Sequence, residues 1–396
     1  MWVVVACEPK MEGKSQDLVE VDAISSPSSG NSALPYLVKG GNDSLYLSWV
    51  EQVGDTAFLK YAVWEGEDWS ASHTIDSGTD WFVNWADYPM VASNTDGKMI
   101  AHYLAKSSAG TYSYDVKVVS GKGNSWSDPI TPHTDNTPTE HGFVTMLPLS
   151  SGSFQLAWLD GRNTTGDHGE GGPMTLRTAV LKLDGTLAEE YELDHRVCDC
   201  CQTTGALTEN GPVFIYRDRS EMEVRDVSIV RLVNGEWTAP QTVYEDNWKI
   251  QGCPVNGPRA AVSGNTLAVA WFSAANSQAE VKVIFSEDGG EHFDNPVIID
   301  KNQPLGRVDI VLFSKEKAMV SWLARDGEHT VIKAQMVNKS GEKGPPIIVA
   351  KSNEARGSGF PQMEYHQGNI WFAWTDLKAE EKMVKMSRKD VSKHSF

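Results

Sequence analysis

Four cysteines near the middle of the chain have the type and spacing for thiolate chemistry: Cys198, Cys200 and Cys201 in RVCDCCQTT, and Cys253 in QGCPVNGP. A thiolate is a nucleophile, a disulfide partner or a soft-metal ligand, depending on what stands beside it. His141, in TEHGF, is a candidate additional ligand. Three chemistries stay open from these residues alone. They are a disulfide from Cys198 or Cys200 to Cys253, a Cys/His site for copper or another soft metal, and a reactive thiol with His141 as its base. The spacing is not one of the usual zinc patterns.

A second concentration of chemistry follows directly. YRDRSEMEVRD carries Tyr216, Arg217, Asp218, Arg219, Glu221, Arg225 and Asp226, and Arg259 and Arg307 lie further on. Guanidinium forks recognise carboxylates and phosphates, so Arg217, Arg219, Arg225, Arg259 and Arg307 are candidates for gripping an anionic small molecule. Asp218, Glu221 and Asp226, beside Tyr216, are the candidate acid and nucleophile groups if that molecule is a glycoside, whose cleavage needs paired carboxylates. WFVNWADY offers Trp81 and Trp85 as stacking faces for a sugar ring.

These residues are positioned by a repeat. Apolar strands end in Trp49, Tyr103, Trp158, Tyr216, Trp271, Trp322 and Trp374, at intervals of 54, 55, 58, 55, 51 and 52 residues. A strand-built period of this size predicts an all-β chain, a seven-bladed propeller of four-stranded antiparallel blades. Asp17–Ser25, DLVEVDAIS, alternates as a strand and is expected to join the last blade and close the ring. Propeller geometry puts the segment leading into each inner strand and the loop after each anchor strand on one rim, which therefore holds nearly all the residues named above. Cys198 and Cys253 each lie 18 residues before their anchors, which places them side by side on adjacent blades. In an extended strand Cys198 and Cys200 share a side and Cys201 faces away. Asp160, Asp218 and Asp376 recur two residues after an anchor, a pattern that favours structural roles for part of the charge.

The chain has 53 Asp and Glu against 35 Lys and Arg, which opposes nucleic-acid binding. No apolar run approaches the roughly 20 residues that span a bilayer. Met1–Cys7, MWVVVAC, resembles the tail of a bacterial lipoprotein signal with Cys7 as the lipidated residue, although the usual basic start is absent. Residues 1–16 therefore read as a signal remnant and tether, and 17–396 as one domain. The expectation is an extracytoplasmic, lipid-anchored monomer that meets the membrane only through its anchor.

SEDGGEHF matches the Asp-box pattern through Ser286, Asp288, Gly290 and Phe293, and so resembles the sialidase superfamily. The resemblance implies a propeller in which this box is a hairpin between third and outer strands. It also implies an Arg-Ile/Leu-Pro motif, an arginine triad, a Tyr/Glu nucleophile pair and an Asp acid. The chain departs from the first of these, with Ala33-Leu34-Pro35 in its place. Fold and function are separable, so two readings stand. One is a protein that binds or cleaves an anionic carbohydrate. The other is a metal or redox protein built on Cys198, Cys200, Cys201, Cys253 and His141. A bare interaction platform is disfavoured by the density of uncommon residues on one rim.

Overall fold

The structure, a computed structural model, describes residues 21–149, 152–165, 170–378 and 381–392. It is all-β, with seven antiparallel sheets arranged as blades and two short 3-10 turns. Blade 1 runs through Ser32–Lys39, Leu45–Val53, Thr56–Val63 and His73–Gly78, each strand paired to the next. Blades 2 to 6 repeat this up-and-down order, with inner strands at Val91–Ser93, His141–Pro148, Thr204–Thr208, Arg259–Ser263 and Pro304–Ser314. In blade 7, Gln362–His366, Asn369–Lys378 and Glu381–Asp390 are completed by Asp22–Ile24. That last strand pairs Asp22 with Arg388 and Ile24 with Met386, so the ring closes through the N-terminal strand as expected.

The anchor strands are buried on both faces, and the core is a series of clusters, several of them seams between neighbouring blades. At the closing seam Leu37, Leu47 and Trp49 of blade 1 pack on Trp371, Ala373 and Met386 of blade 7. Trp64 and Trp69 meet Trp371 edge-on there, and Arg388 lies over Trp64 and Trp371.

Each anchor ring carries one polar atom into these seams, and four of the seven reach a carboxylate on the blade before. Tyr103 Oη donates to Asp76 (2.6 Å), Tyr216 Oη to Asp194 (2.6 Å), Trp271 Nε1 to Asp246 (2.6 Å) and Trp322 Nε1 to Asp300 (2.7 Å). Trp158 instead donates to Asp160 of its own blade. A buried donor without a partner costs about 1–3 kcal/mol, so each clasp fixes how far one blade turns against its neighbour.

The Asp box lies where the resemblance implied, between Glu280–Ser286 and Val297–Asp300. Ser286 Oγ accepts from Gly290 N–H, and Asp288 Oδ1 accepts from the N–H groups of Glu291 and His292. Gly290 has φ 89°, and a Cβ there would come within 2.6 Å of Ile229 on blade 4. The box therefore tightens a seam and does no chemistry.

Two predictions follow from these seams. Asp246 also accepts from Lys282 Nζ at 2.6 Å, so Asp246→Ala strands a buried indole and leaves the Lys282 ammonium with Glu280 alone. The expected loss is about 3–4 kcal/mol, read as a lower urea midpoint at unchanged m-value. His102 is fully buried, neither ring nitrogen has a hydrogen-bond partner, and burial pulls its pKa down to about 3. The unfolded chain then takes up a proton near pH 6.5 that the folded chain refuses until about pH 3. Stability should therefore fall through this window on acidification, by about 3 kcal/mol between pH 6.5 and 4 from this group alone. His102→Leu should flatten that slope in denaturation series run across the range.

Candidate functional site

A pocket of about 550 Å³ opens on the rim where segments of blades 2 to 5 converge beside the loop leading into blade 7. Its wall includes Trp85, Tyr112, Tyr114, Glu140, Asp199, Cys200, Arg219, Glu223, Arg225, Cys253 and Arg356. All of them come from segments entering inner strands or from loops after anchor strands. The register is closer still: Trp85, Glu140, Cys253 and Arg356 each lie 18 residues before their anchors, and Cys200 is two residues past that position. One place in the repeat, carrying a different residue on each blade, builds the pocket.

At the pocket wall the buried Tyr114 donates its phenolic hydrogen to Glu140 Oε1 in a short hydrogen bond. Burial pushes the Glu140 carboxyl up to about 7, against the Tyr114 hydrogen bond that lowers it. Burial and the Glu140 charge drive the Tyr114 phenol well above its ordinary value. Across the pocket Glu223 accepts from Arg219 at 2.9 Å and from Arg225 at 2.8 Å, and these contacts outweigh its burial and hold it below the ordinary range. The wall thus pairs a carboxyl that is easily protonated near neutrality with one that stays ionised.

The arginines of the rim are mostly committed to the scaffold. Arg217 donates to the carbonyls of Asn256, Arg225 and Phe272 and stacks over Trp248. Arg307 donates to Ser358 Oγ and to the carbonyls of Glu354 and Gly359, and lies over Trp85. Arg259 pairs with Asp309 at 3.0 Å in the central channel, a separate cavity of about 350 Å³ lined by all seven inner strands. Arg219 and Arg225 do line the pocket, each held by carboxylates.

The candidate acids are dispersed. Tyr216 forms the blade clasp to Asp194, and Asp226 accepts the N–H groups of Asn247 and Trp248. Asp218 is raised to about 6 by burial and the nearby Asp194 charge, and accepts from Ser228. Glu221 is exposed on the loop. None of the four lines the pocket. Trp81 stacks on Tyr103 at 4.1 Å and stays outside it, whereas Trp85 forms part of its wall.

Cys198–Cys201 form a tight turn and not the expected extended strand, so Cys201 swings back toward its neighbours. Cys198 Sγ is 3.5 Å from Cys201 Sγ and 3.9 Å from Cys200 Sγ. Cys253 lines the same pocket as Cys200, and its thiol interacts with that of Cys200. His141 belongs to a different cluster. Its ring stacks on His133 at 3.7 Å, with Nε2 3.3 Å from Asp135 and 3.7 Å from Asp160. Those carboxylates already have a cation: Arg162 grips Asp160 through two donors and lies 3.7 Å from Asp135. Cys7 and the loop residue His168 lie outside the described residues.

No protein-family profile matches the chain, and no curated protein does. Among solved structures it is similar to polysaccharide lyase Uly1, at 8% identity over 90% of this chain and 89% of that one, with a TM-score of 0.52. It is also similar to a puromycin-hydrolyzing peptidase of Mycobacterium tuberculosis, at 10% identity over 95% of this chain and 55% of that one, TM-score 0.51. Hadza microbial sialidase Hz136 is 12% identical over 74% of this chain and 63% of that one, TM-score 0.43. By fold, the chain is a seven-bladed, all-β propeller. At these identities the likeness concerns fold alone, and the chain spans about half of the peptidase and under two thirds of the sialidase.

Sequence reasoning missed Tyr114, Glu140, Asp199, Glu223 and Arg356 as pocket residues. The offset of 18 that aligned Cys198 with Cys253 also marks Glu140 and Arg356. The scaffold role of Arg217 is testable through its geometry. Arg217→Lys keeps the charge but loses the planar fork that reaches carbonyls on two segments, so about 2–3 kcal/mol of stability should be lost. An unchanged melting temperature with altered ligand affinity would instead return Arg217 to the binding residues.

Proposed function

We propose that the rim pocket takes a carbohydrate with an anionic group and that Tyr114 and Glu140 are its reacting pair. The observation that carries this reading is the phenol hydrogen-bonded to a half-buried carboxyl of raised pKa in a concave, aromatic-walled site. A general base works best with a pKa near the operating pH, and Glu140 is placed to take the phenolic proton as the Tyr114 oxygen attacks an anomeric carbon and the bond from that carbon to the aglycone oxygen breaks, the departing oxygen taking its proton from solvent. That sequence avoids a free phenolate, which burial disfavours here. It is also the Tyr/Glu arrangement that the sialidase resemblance implies.

The rest of the wall supports the same reading. Trp85 and Tyr112 offer ring faces for a sugar, and Arg219, Arg225 and the exposed Arg356 bring positive charge to an otherwise acidic protein. One similar structure is named for a polysaccharide lyase. The departure at Ala33 matters for mechanism. The next residue, Leu34, has a left-handed backbone, with φ 57°, and its N–H donates to Thr375 Oγ1, so the chain there serves a bulge in the inner strand of blade 1 that is tied to blade 7. Any anion grip must therefore come from the blade 4 and blade 7 arginines. An extracytoplasmic setting, with the chain tethered through Cys7, belongs to this proposal and suits a glycan substrate.

The test is a panel of neutral, sialylated and uronate-bearing glycosides, scored for binding and release of the aglycone. Glu140→Gln and Tyr114→Phe should lower turnover about 100-fold or more with substrate affinity changed only a few-fold. Trp85→Ala should weaken binding about tenfold without lowering the maximal rate. Absence of binding across the panel, or full activity in both Glu140→Gln and Tyr114→Phe, sinks the reading.

A further inference from the structure

The thiols raise a question that carbohydrate chemistry does not answer. Cys198, Cys200 and Cys201 place three sulfur atoms within 4.8 Å of one another at the inner wall of the pocket, two of the three residues buried and the third half-buried. Thiolates sharing one ion at metal–sulfur bonds of about 2.3 Å stand roughly 3.8–4.0 Å apart. Cys198 Sγ stands 3.5 and 3.9 Å from its two neighbours, already close to that. From this cluster we infer a binding site for a thiophilic d10 cation, Cu(I) or Zn(II), held by Cys198, Cys200 and Cys201.

At Cys198 the surroundings favour a thiolate over an apolar thiol. Arg225, itself 2% exposed, aims Nη1 at Cys198 Sγ from 3.1 Å, and its Nε has no hydrogen-bond partner in a buried position. A buried guanidinium turned onto sulfur compensates part of the charge that two or three deprotonated cysteines bring. Glu223 takes the other arm of Arg225 and fixes its direction. Cys198 N–H donates to the Arg217 carbonyl, which pins the start of the turn to the anchor strand of blade 4. The turn is therefore held in shape by the scaffold before any ion arrives.

Ion type follows from donor count. Soft sulfur ligands select copper(I), zinc and similar ions over magnesium or calcium. Cu(I) is satisfied by the three clustered sulfurs in a trigonal arrangement, whereas Zn(II) wants a tetrahedral fourth donor. Among the described residues Cys253 is the thiol able to supply it, because it is exposed and lines the same pocket as Cys200. The pocket is also the route of arrival, since Cys200 and Cys253 both line it. Each ligating thiol gives its proton to solvent, so binding tightens as pH rises. His141 takes no part. The inference is independent of the carbohydrate reading, since neither Tyr114 nor Glu140 ligates.

The experiment uses the full chain, reduced and freed of reductant without oxygen, titrated separately with Cu(I) against a bathocuproine competitor and with Zn(II) against a chelating indicator. Thiol alkylation and thermal melting are followed in parallel. We expect one ion bound per chain, protection of the clustered cysteines from alkylation, and a melting temperature raised by the ion. Cys200→Ser should weaken binding about 100-fold or more, and its half-buried position keeps the fold intact for that measurement. Cys253→Ser divides the two ions: Cu(I) affinity is retained and Zn(II) affinity drops. Two disulfides among the four cysteines in protein purified without reductant, or no saturable binding of either ion by the reduced chain, overturns the inference. So does undiminished binding by a folded Cys200→Ser variant. Turnover of glycosides is not among these readouts, so failure here leaves the carbohydrate proposal standing, and the converse holds.

Discussion

Four of the seven seams between blades are held by one recurrent contact, the polar atom of an anchor ring bonded to a carboxylate on the blade before it. Apolar packing between sheets is strong but tolerant of sliding, because it depends on area and hardly on direction. A buried phenol or indole donor is different: it has one acceptor within reach and loses about 1–3 kcal/mol if it misses. Tyr103 to Asp76, Tyr216 to Asp194, Trp271 to Asp246 and Trp322 to Asp300 thus convert a stack of sheets into a ring of set pitch. Everything at the rim inherits that pitch. The pocket is assembled from segments of several blades, and its residues meet only because neighbouring blades are turned by fixed amounts.

The rim shows how a dense set of charges can belong almost wholly to architecture. Arg217 and Arg307 spend their donors on carbonyls of loops leading into inner strands, and each lies over a tryptophan face. Backbone carbonyls in irregular segments need donors, and a guanidinium supplies several at once in a rigid plane. Bulged positions follow the same logic. Leu34, Phe143 and Arg307 are all left-handed, and their N–H groups donate to Thr375, Asp87 and Asn256 respectively. The rim is irregular backbone held by side chains, with the pocket in what remains.

Fold and place were legible in the sequence because both depend on periodicity. Seven anchors at near-constant spacing determine the blade count, alternation in DLVEVDAIS the closing strand, and the Asp box its hairpin. The offset of 18 located the pocket wall through Cys198 and Cys253. It went unused for Glu140, whose neighbour His141 drew attention as a ligand and turned out to face His133 and Asp135. Contacts were not legible. Tyr114 and Glu140 are 26 residues apart on different blades, and nothing in either segment signals the other. The carbonyl partners of Arg217 carry no residue type at all. The turn at Cys198–Cys201 looks like a strand in sequence because alternation cannot distinguish the two over four residues.

Closure through Asp22–Ile24 has a consequence for how the molecule comes into being. This strand is synthesised ahead of all seven inner strands, and its partner, Glu381–Asp390, after all of them. At about 5–20 residues per second, the ribosome makes the two some tens of seconds apart. During that interval the early strand has no legitimate neighbour, and its short length and exposed, charged first residue keep it from recruiting a wrong one. The ring is in effect a clasped bracelet, fastened by a strand made long before the blade that it completes.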